Sequence, residues 1–464
     1  MAIEVRNPRR GTTDYSFERP ADLDDVCAGL RARQPGWEHA GAHERAAAML
    51  SWRDEIANAR ARLVDALVAD TGRLIESGLE VDAIAGSIDR WATLGVQMLA
   101  EEPARPASIP TVRVAQGIAP YPLVGVISPW NFPLLLSLID AIPALMAGCA
   151  VIVKPSEITP RFIEALPIPG DLPLAYVAGD GETGGALIDR VDCVCFTGSV
   201  ETGRKVAAQA AARFIPAFLE LGGKDPAIVL ESADVERATS AILWGSTANA
   251  GQSCQSIERV YVARAIHESF IERLVAKAGQ VTLAVPTPAD GMLGPIIAAD
   301  QIEVIRGHLA DAFDKGARAL TGGALEEIDG GTYVRPTVLT GVDHTMLVMT
   351  DETFGPIIPV MAFDTVEEAV ALANDTRYGL SAAVFAGSEE EALAVARRVR
   401  AGGISINDAA LTALVHDGEK NSFNLSGLGG SRMGPAALRR FGRRQAFLIA
   451  DARAPDPWWY PHLR

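Results

Sequence analysis

The spacing of apolar residues along the chain changes at about residue 123. Before this point, apolar residues recur every three to four positions, as along 44–69, which predicts amphipathic helices over most of residues 22–103. Residues 103–122 break this period with prolines and β-branched residues. Proline lacks the N–H that a helix interior needs, so this segment predicts an extended arm.

After the arm, apolar residues occur in short continuous runs that alternate with helical segments. Such runs are typical of strands in a parallel sheet buried on both faces, with the helices completing βαβ units. A second α/β pattern begins after Gly223, with a helix predicted over 234–248. At 464 residues the chain is too long for one simple core, so we expect two or three domains. The predicted strands are 123–128, 150–154, 174–178, 193–197, 217–221, 227–230, 260–263, 360–363, 382–385 and 403–406.

Charge and composition narrow the class of protein. The formal net charge of −16 argues against nucleic acid as a partner, because phosphate binding needs clustered lysine and arginine. The most apolar stretch, 141–153, contains Pro143 and Gly148 and is too short to cross a bilayer, so we expect no membrane partner. The first residues lack the apolar core of a signal peptide, and five cysteines without regular spacing do not predict a disulfide framework. We therefore expect a cytoplasmic protein.

Cys254 differs from the other cysteines in its surroundings. It ends the polar, glycine-led segment Gly251-Gln252-Ser253-Cys254, whereas Cys149, Cys193 and Cys195 lie among apolar residues on or next to predicted strands. A free cysteine is usually a small buried hydrophobe, but a cysteine in a polar loop is a candidate nucleophile. No other Cys or His clusters near Cys193 and Cys195, so no metal site is predicted.

Glu220 lies 34 residues before Cys254. It ends an apolar run and is followed by Gly222-Gly223, and glycines allow a backbone or a ligand to approach closely. A glutamate is most often a surface carboxylate, but a carboxylate can also activate water to break a bond that a thiolate has formed. The two residues together indicate acyl-transfer chemistry.

With Pro129-Trp130-Asn131-Phe132-Pro133 added, these segments resemble the NAD(P)-dependent aldehyde dehydrogenase superfamily, and the resemblance covers nearly the whole chain. It implies an α/β fold with a Rossmann-type cofactor domain, an α/β catalytic domain and a small β oligomerisation arm. It also implies that Cys254 is the nucleophile, Glu220 the general base, and Asn131 with the Cys254 backbone N–H the oxyanion hole. An aldehyde would be oxidised to the carboxylic acid through a thiohemiacetal and a thioester on Cys254.

The resemblance further implies a dinucleotide site. Lys154 and Glu157 would bind the adenosine ribose, Ser199 the pyrophosphate, and Glu352 and Phe354 the nicotinamide half. A carboxylate beside the ribose accepts hydrogen bonds from its hydroxyls and repels a 2′-phosphate, which favours NAD over NADP. The implied cofactor-binding residues are Trp130, Lys154, Ser156, Glu157, Gly179, Gly198, Ser199, Gly203, Leu221, Glu352 and Phe354.

The same resemblance suggests a division of the chain. Residues 1–102 and 123–222 would form the NAD-binding domain, and 223–445 the catalytic domain. Segments 103–122 and 446–464 would form an oligomerisation element, because extended edge strands are covered by pairing across subunits. The expected assembly is a homodimer or a homotetramer.

Two other functions stay open at this point. A CoA-acylating relative would pass the acyl group to a thiol rather than to water, and Glu220 argues against it because that branch tends to lack the general base. A non-catalytic protein would use the fold as a binding or structural module. The aldehyde itself is not identified, although Leu134, Leu135 and Leu138 favour an aromatic or aliphatic substrate over a charged semialdehyde.

Three positions depart from the family pattern. Asp140 lies nine residues after Asn131, where many members have a lysine. Ser431 takes the position of a second glutamate, so we expect deacylation to depend on Glu220 alone. The segment 155–173 is shorter than the family pattern, which predicts a more open adenosine site.

Overall fold

The computed structural model of the protein describes residues 2–18, 22–100, 102–450, 458–460 and 462. Within these residues the strands are β1 (Ile3–Asn7), β2 (Thr12–Phe17), β3 (Arg105–Pro106), β4 (Val112–Pro120), β5 (Leu123–Ile127), β6 (Ala150–Lys154), β7 (Leu174–Tyr176), β8 (Cys193–Thr197), β9 (Ala217–Glu220), β10 (Asp225–Val229), β11 (Ile257–Ala263), β12 (Arg318–Ala319), β13 (Leu325–Ile328), β14 (Gly331–Val334), β15 (Thr337–Thr340), β16 (Ile357–Phe363), β17 (Ser381–Phe385), β18 (Gly403–Ile406), β19 (Gly427–Leu428) and β20 (Gly442–Ala450). The α-helices are α1 (Leu23–His39), α2 (Gly41–Asn58), α3 (Arg60–Thr71), α4 (Ile75–Met98), α5 (Pro133–Ala147), α6 (Phe162–Ala165), α7 (Gly181–Ile188), α8 (Val200–Ala212), α9 (Val235–Thr247), α10 (Arg264–Ala278), α11 (Ala299–Asp314), α12 (Leu347–Thr350), α13 (Val366–Asn374), α14 (Glu389–Ala396), α15 (Leu411–Leu414) and α16 (Ala436–Arg439).

Helices α1 to α4 form the layer predicted for residues 22–103. The Asp22 side chain caps α1 by accepting hydrogen bonds from two backbone N–H groups, and α3 ends at Gly72, whose φ of 72° is left-handed. The apolar faces of α2 and α4 pack against α5 and share one core with it, which includes Met49, Trp52 and Ile84. This layer therefore supports α5, the helix that follows the Asn131 segment.

The first sheet has the strand order β19-β9-β8-β5-β6-β7. Its described strands are parallel except for β19, which pairs antiparallel with β9. β5, β6 and β8 are buried along their whole lengths, because alternate residues join one core with α5 and another with α7 and α8. The predicted parallel sheet with both faces covered is confirmed.

The second sheet has the order β12-β15-β16-β11-β10-β17-β18. Its pairs are parallel except for the short β12–β15 pair. Two separate apolar cores cover its faces, so its central strands also read as continuous apolar runs. The loop that carries Cys254 lies between α9 and β11, at the start of a central strand of this sheet.

A third, antiparallel sheet is formed by β20, β4 and β3. The arm predicted at residues 103–122 is therefore extended, as β3 and β4. Apolar side chains of β20 are exposed, namely Phe447, Leu448 and Ile449. Of the predicted oligomerisation segment 446–464, residues 451–457, 461, 463 and 464 lie outside the described residues.

Several features of the fold have no counterpart in the sequence prediction, including strands β12 to β15. The hairpin β1–β2 was missed because its strands are short and largely polar. β19 returns from late in the chain to pair with β9 in the first sheet, and α16 packs against α5. The division into domains remains a prediction. No helix in the described part of the chain is both long and apolar enough to cross a membrane.

Candidate active site

A cavity of about 210 Å³ lies where the carboxyl ends of the first sheet meet the loop before β11. In open α/β sheets this edge is where ligands bind. The cavity brings together many of the residues that the sequence singles out, although they come from five separate segments. Those that line it are Trp130, Asn131, Gly198, Ser199, Glu220, Leu221, Cys254, Glu352 and Phe354.

The backbone before Cys254 is tightly kinked. Asn249, Ala250 and Gly251 have φ values of 55°, 52° and 72°, in the left-handed region that costs a non-glycine residue about 1–2 kcal/mol. The Asn249 Nδ2 donates to the Gln252 carbonyl at 2.9 Å, and the Gln252 Nε2 donates to the Asn249 carbonyl at 2.9 Å. These two hydrogen bonds stabilise the kinked backbone at residues 249–251, which fixes the position of Cys254 at the cavity.

The charge around Cys254 favours a neutral thiol at rest. Burial is the largest cause that raises the pKa of Cys254, to about 12, and the negative charge of Glu352 adds to it. The positive charge of Lys420 acts in the opposite direction. Lys420 lies close by, since its Nζ donates to the Gln255 Oε1 at 3.1 Å. Cys254 therefore needs a base before it can act as a thiolate.

Asn131 is fixed on both its backbone and its side chain. Its Nδ2 donates to the Gln252 carbonyl at 3.0 Å, which uses one of the two N–H groups of the amide. Its own carbonyl accepts from the Asn249 Nδ2 at 3.0 Å and from the Arg73 Nη2 at 2.7 Å. Arg73 is in turn paired with buried Glu80 at 2.7 Å. Asn131 is thus tied directly to the Cys254 loop.

The glycines after Glu220 are required by close contacts. A Cβ at Gly222 would lie 2.3 Å from the Glu352 Oε2, and a Cβ at Gly223 would lie 2.5 Å from the Cys254 carbonyl oxygen. The Gly223 N–H also donates to the Glu352 Oε1 at 2.9 Å. Glu220 itself accepts from the Ser422 hydroxyl at 3.1 Å. The two glycines therefore let Glu220, Cys254 and Glu352 share one small space.

Glu352 is a partly buried carboxyl that lines this space. Burial, followed by the charge of Glu258, raises the pKa of Glu352 to about 8. Glu258 forms a buried ion pair with Lys224 at 2.6 Å and accepts the backbone N–H groups of Thr353 and Phe354 at 2.7 and 2.8 Å. These bonds position the loop that carries Glu352.

Aromatic rings form one wall of the cavity. The rings of Trp130 and Phe354 meet edge to face, with 5.4 Å between their centroids. Phe354 has a φ of 51°, an uncommon conformation for a bulky residue. The Phe354 N–H bond to Glu258 holds this conformation, so the wall depends on a buried charge behind it.

The remaining predicted cofactor residues follow the strands of the same sheet but do not line the cavity. At the end of β6, the buried Lys154 Nζ pairs with the Glu157 carboxylate at 2.9 Å, and the Ser156 hydroxyl accepts the Ile158 N–H at 3.2 Å. A Cβ at Gly179 would lie 2.3 Å from the Thr183 Oγ1, and one at Gly203 would lie 2.6 Å from the Leu221 side chain. These two glycines therefore allow close packing.

This edge of the sheet fits a dinucleotide in its donor set. Ser199 caps α8, a helix of 13 residues whose first backbone N–H groups suit a phosphate. Carboxylates lie on either side, Glu157 toward β6 and Glu352 in the cavity, and carboxylates accept hydrogen bonds from ribose hydroxyls.

Several residues of the cavity were not predicted. Gln301 lies on α11, and its Nε2 donates to the Thr353 carbonyl at 2.7 Å. It has no local motif and is distant in sequence from every predicted site residue. Thr197 directly precedes Gly198 and Ser199, which were predicted to bind the cofactor, but no role was predicted for Thr197 itself. The unpredicted lining residues are Pro129, Leu136, Thr197, Gln301 and Val304.

Two of the three departures from the family pattern, Asp140 and Ser431, have local explanations. Asp140 is 1% exposed and is paired with the Arg432 Nη2 at 2.9 Å and with Arg440, so its charge is compensated. The Ser431 hydroxyl accepts the N–H groups of Lys420 and Met433, both at 3.0 Å, and shapes its own loop. Ser431 therefore has a structural role here.

Comparison with known proteins gives a consistent family. The aldehyde dehydrogenase family model matches residues 1–446. A protein of Mycolicibacterium smegmatis, provisionally named an NADP(+)-dependent succinate-semialdehyde dehydrogenase, is 38% identical over 397 residues, which are 83% of this chain and 76% of the relative. The solved structure of PutA from Anabaena variabilis, provisionally named an aldehyde dehydrogenase, has a TM-score of 0.97 and 58% identity and covers 99% of this chain and 100% of its own. Betaine aldehyde dehydrogenase of Staphylococcus aureus, solved in complex with NAD+, has a TM-score of 0.90 and 29% identity over 99% of this chain and 94% of its own.

The class is thus an α/β oxidoreductase fold with its site at the sheet edge, and the chain belongs to the aldehyde dehydrogenase family. Its activity is the oxidation of aldehydes to carboxylic acids. The relatives reported above give no support to the CoA-acylating or the non-catalytic alternative.

Proposed function

We propose that the protein oxidises its aldehyde with NAD through a covalent acyl group on Cys254, which water activated by Glu220 then removes. The observation that carries this proposal is the shared cavity, in which Cys254, Glu220 and Asn131 lie with the Glu352–Phe354 loop. Two independent features support it. The Cys254 loop is tied to Asn131 by hydrogen bonds, and the glycines after Glu220 leave room for nothing larger.

In the first half of the reaction, a base takes the proton of the Cys254 thiol, and the sulfur forms a bond with the aldehyde carbon as the carbonyl π bond breaks. The Asn131 amide and the Cys254 backbone N–H are the donors for the oxyanion that forms on the carbonyl oxygen. Trp130, Glu352 and Phe354 would hold the nicotinamide half of NAD, which would supply the acceptor for the hydride of this carbon. Trp130 and Phe354 exclude water from the space in which this happens.

In the second half, Glu220 takes a proton from water as the water oxygen bonds to the acyl carbon. The carbon–sulfur bond then breaks, the Cys254 sulfur leaves as the thiolate, and the carboxylic acid is released. The Ser422 hydroxyl, which donates to Glu220 at 3.1 Å, holds the carboxylate toward the cavity.

The preference for NAD rests on Glu157. Its carboxylate pairs with Lys154 at 2.9 Å, so the nearby cation is already compensated and offers little to a 2′-phosphate. The M. smegmatis relative is named for NADP(+), and the S. aureus structure contains NAD+. Steady-state kcat/KM with each dinucleotide tests the preference, and a higher value with NADP would contradict it.

The proposed substrate is an aromatic or aliphatic aldehyde, in keeping with the apolar start of α5. A semialdehyde is the second candidate, because Lys420 lies beside the residue that follows Cys254 and because the M. smegmatis relative is named for such a substrate. The formation of NADH over a panel of benzaldehyde, medium-chain aldehydes and succinic semialdehyde, with and without CoA, ranks them. NADH formed only with CoA would contradict the hydrolytic mechanism.

Location and assembly complete the proposal. A reducing, cytoplasmic environment is supported by five cysteines, none of which forms a disulfide in the described residues. A homodimer or homotetramer is supported by the exposed apolar side chains of β20 beside the β4 arm. Light scattering of the purified protein tests the assembly, and a monomer would contradict it.

A further inference from the structure

A buried arginine connects Asp140 to the floor of the cavity. Arg432 lies in the loop after β19, and its side chain is 7% exposed. Its Nη2 donates both to the Asp140 carboxylate, at 2.9 Å, and to the Thr197 hydroxyl, and Thr197 lines the cavity. Arg432 is thus a cation held between a buried carboxylate and the site.

Thr197 links Arg432 to Glu220. The two residues end adjacent parallel strands, β8 and β9, and are paired in register. Burial alone lowers the pKa of Arg432, but the charges of Asp140 and then of Glu220 outweigh burial and leave it raised. The guanidinium therefore interacts with the Glu220 carboxylate across the Thr197 position.

Arg440 shares Asp140 but points elsewhere. It bonds to the other carboxylate oxygen of Asp140, is buried, and lies over the rings of Phe218 and Phe441 at 5.0 and 4.9 Å. Its hydrogen bond goes to Asp140 and not to Thr197. The two arginines therefore form similar buried ion pairs with one carboxylate, and only Arg432 is also bonded to a residue of the cavity.

We propose that Arg432, anchored by Asp140, is a positioning residue that keeps Glu220 ionised and oriented for thioester hydrolysis. This inference rests on the proposed function, in which Glu220 takes a proton from water. A protonated carboxyl cannot act as that base. Arg432 supplies a fixed positive charge at the strand end next to Glu220, because a guanidinium does not release its proton.

The charges that surround Glu220 come from several elements. Arg432 and, behind it, Asp140 and Arg440 lie on one side, and Cys254 and Glu352 lie across the cavity. Lys420 and Asp225 also act on Cys254, with opposite signs. Without Arg432 a buried cation beside the Thr197–Glu220 strand pair is lost and the Asp140 charge is only partly compensated, so the negative charge near Glu220 increases.

The test measures hydrolysis of the acyl-enzyme as a function of pH, without cofactor. p-Nitrophenyl acetate acylates a thiol directly, so the burst of nitrophenolate reports acylation and the steady state reports deacylation. For Arg432→Gln we expect a normal burst, with the acidic limb of the deacylation profile moved to higher pH by about one unit. Below that limb, deacylation would fall about tenfold, and it would recover at higher pH.

Two matched variants separate positioning from mere stability. Arg440→Gln removes an ion pair to the same carboxylate, and we expect its profile to stay near that of the unmodified protein. Arg432→Lys keeps the positive charge, so we expect its acidic limb to stay close to that of the unmodified protein. If Arg432→Gln leaves the limb in place, or if Arg440→Gln moves it equally, the inference is wrong.

Failure of the proposed function gives a different pattern. If the unmodified protein shows neither a burst nor aldehyde-dependent NADH, or if Cys254→Ala retains both, the acyl mechanism itself fails and the inference falls with it. If Arg432→Gln does not fold, Arg432→Met removes the same charge with a side chain of similar length, and we expect the same movement of the limb to higher pH. An unmoved limb in a folded Arg432→Met would overturn the inference.

Discussion

The two sides of the cavity are built in different ways. The Cys254 side is defined by backbone geometry: a kink with positive φ values and three glycines, at 222, 223 and 251, where a Cβ would lie within 2.5 Å of another atom. The Glu220 side is instead supported by buried side-chain charges, Asp140 with Arg432 and Arg440. The difference indicates that the nucleophile tolerates almost no change in shape, whereas the base is sensitive to a change in charge.

The largest effect tests whether the Cys254 side carries the reaction. Cys254→Ala removes the sulfur that bonds to the aldehyde carbon, so we expect NADH formation to fall by at least about 10³-fold. The control is Cys27→Ala, which removes a buried cysteine on α1, remote from the cavity. Substantial turnover in Cys254→Ala, measured by NADH absorbance over the aldehyde panel, would contradict the assignment.

The next effect tests how little space the Cys254 side allows. Gly222→Ala places a Cβ 2.3 Å from the Glu352 Oε2, so the carboxyl must move. We expect kcat to fall about 100-fold, the usual cost of a displacement of about 1 Å in a catalytic site. Gly29→Ala is the matched control, because nothing lies within 4 Å of its Cβ. It should keep full activity and gain up to about 1 kcal/mol of stability within α1. Equal activity in both variants would show that the space is not limiting.

A third test probes charge on the Cys254 side. The charge of Glu352 raises the pKa of Cys254 and that of Lys420 lowers it. At a pH above 8, where Glu352 is mainly ionised, Glu352→Gln should therefore speed alkylation of Cys254 by iodoacetamide. Lys420→Met should slow it. We expect changes of about tenfold in each direction, corresponding to about one pKa unit. Changes of the same sign in both variants would contradict this electrostatic account.

The smallest effect concerns Glu157, which follows β6, does not line the cavity and is expected to bind the adenosine ribose. Glu157→Gln removes the carboxylate that disfavours a 2′-phosphate and leaves Lys154 uncompensated. We expect the ratio of kcat/KM with NADP to that with NAD to rise about two- to fivefold, since a partly exposed charge contributes about 1 kcal/mol or less. A ratio that stays constant would show that Glu157 does not select the cofactor.

The features that the sequence could predict are those that depend on a local segment of backbone. The features that it could not predict are interactions between charged residues far apart in the chain. The buried parallel strands, the arm and the residues Glu220 and Cys254 were visible because each is encoded by a continuous segment or a short motif. The ion pair of Asp140 with Arg432 joins residues 292 positions apart, and the Arg73 bond to Asn131 spans 58 positions. No periodicity or motif reports such pairs, so the sequence showed that Asp140 was unusual without showing what compensates it.

Gln301 and the hairpin β1–β2 illustrate the same limit. Gln301 reaches the cavity only because α11 packs beside the Glu352 loop, and its amide bond to Thr353 is set by tertiary packing. The hairpin strands are short and largely polar, so they leave little trace in the apolar pattern. The position of Gln301 and the formation of the hairpin both depend on tertiary packing, which a local sequence pattern does not report.

The most direct test of the account is to trap the acyl group on the Glu220→Gln variant. The variant is mixed with aldehyde and NAD, quenched in acid and digested, and the peptide that contains Cys254 is weighed by mass spectrometry. Because glutamine cannot accept a proton from water, we predict that this peptide gains the mass of the acyl group and that NADH forms in a single turnover. If the unmodified protein makes the acid while no acyl mass appears on Cys254, or if it appears on another cysteine, the central claim is contradicted.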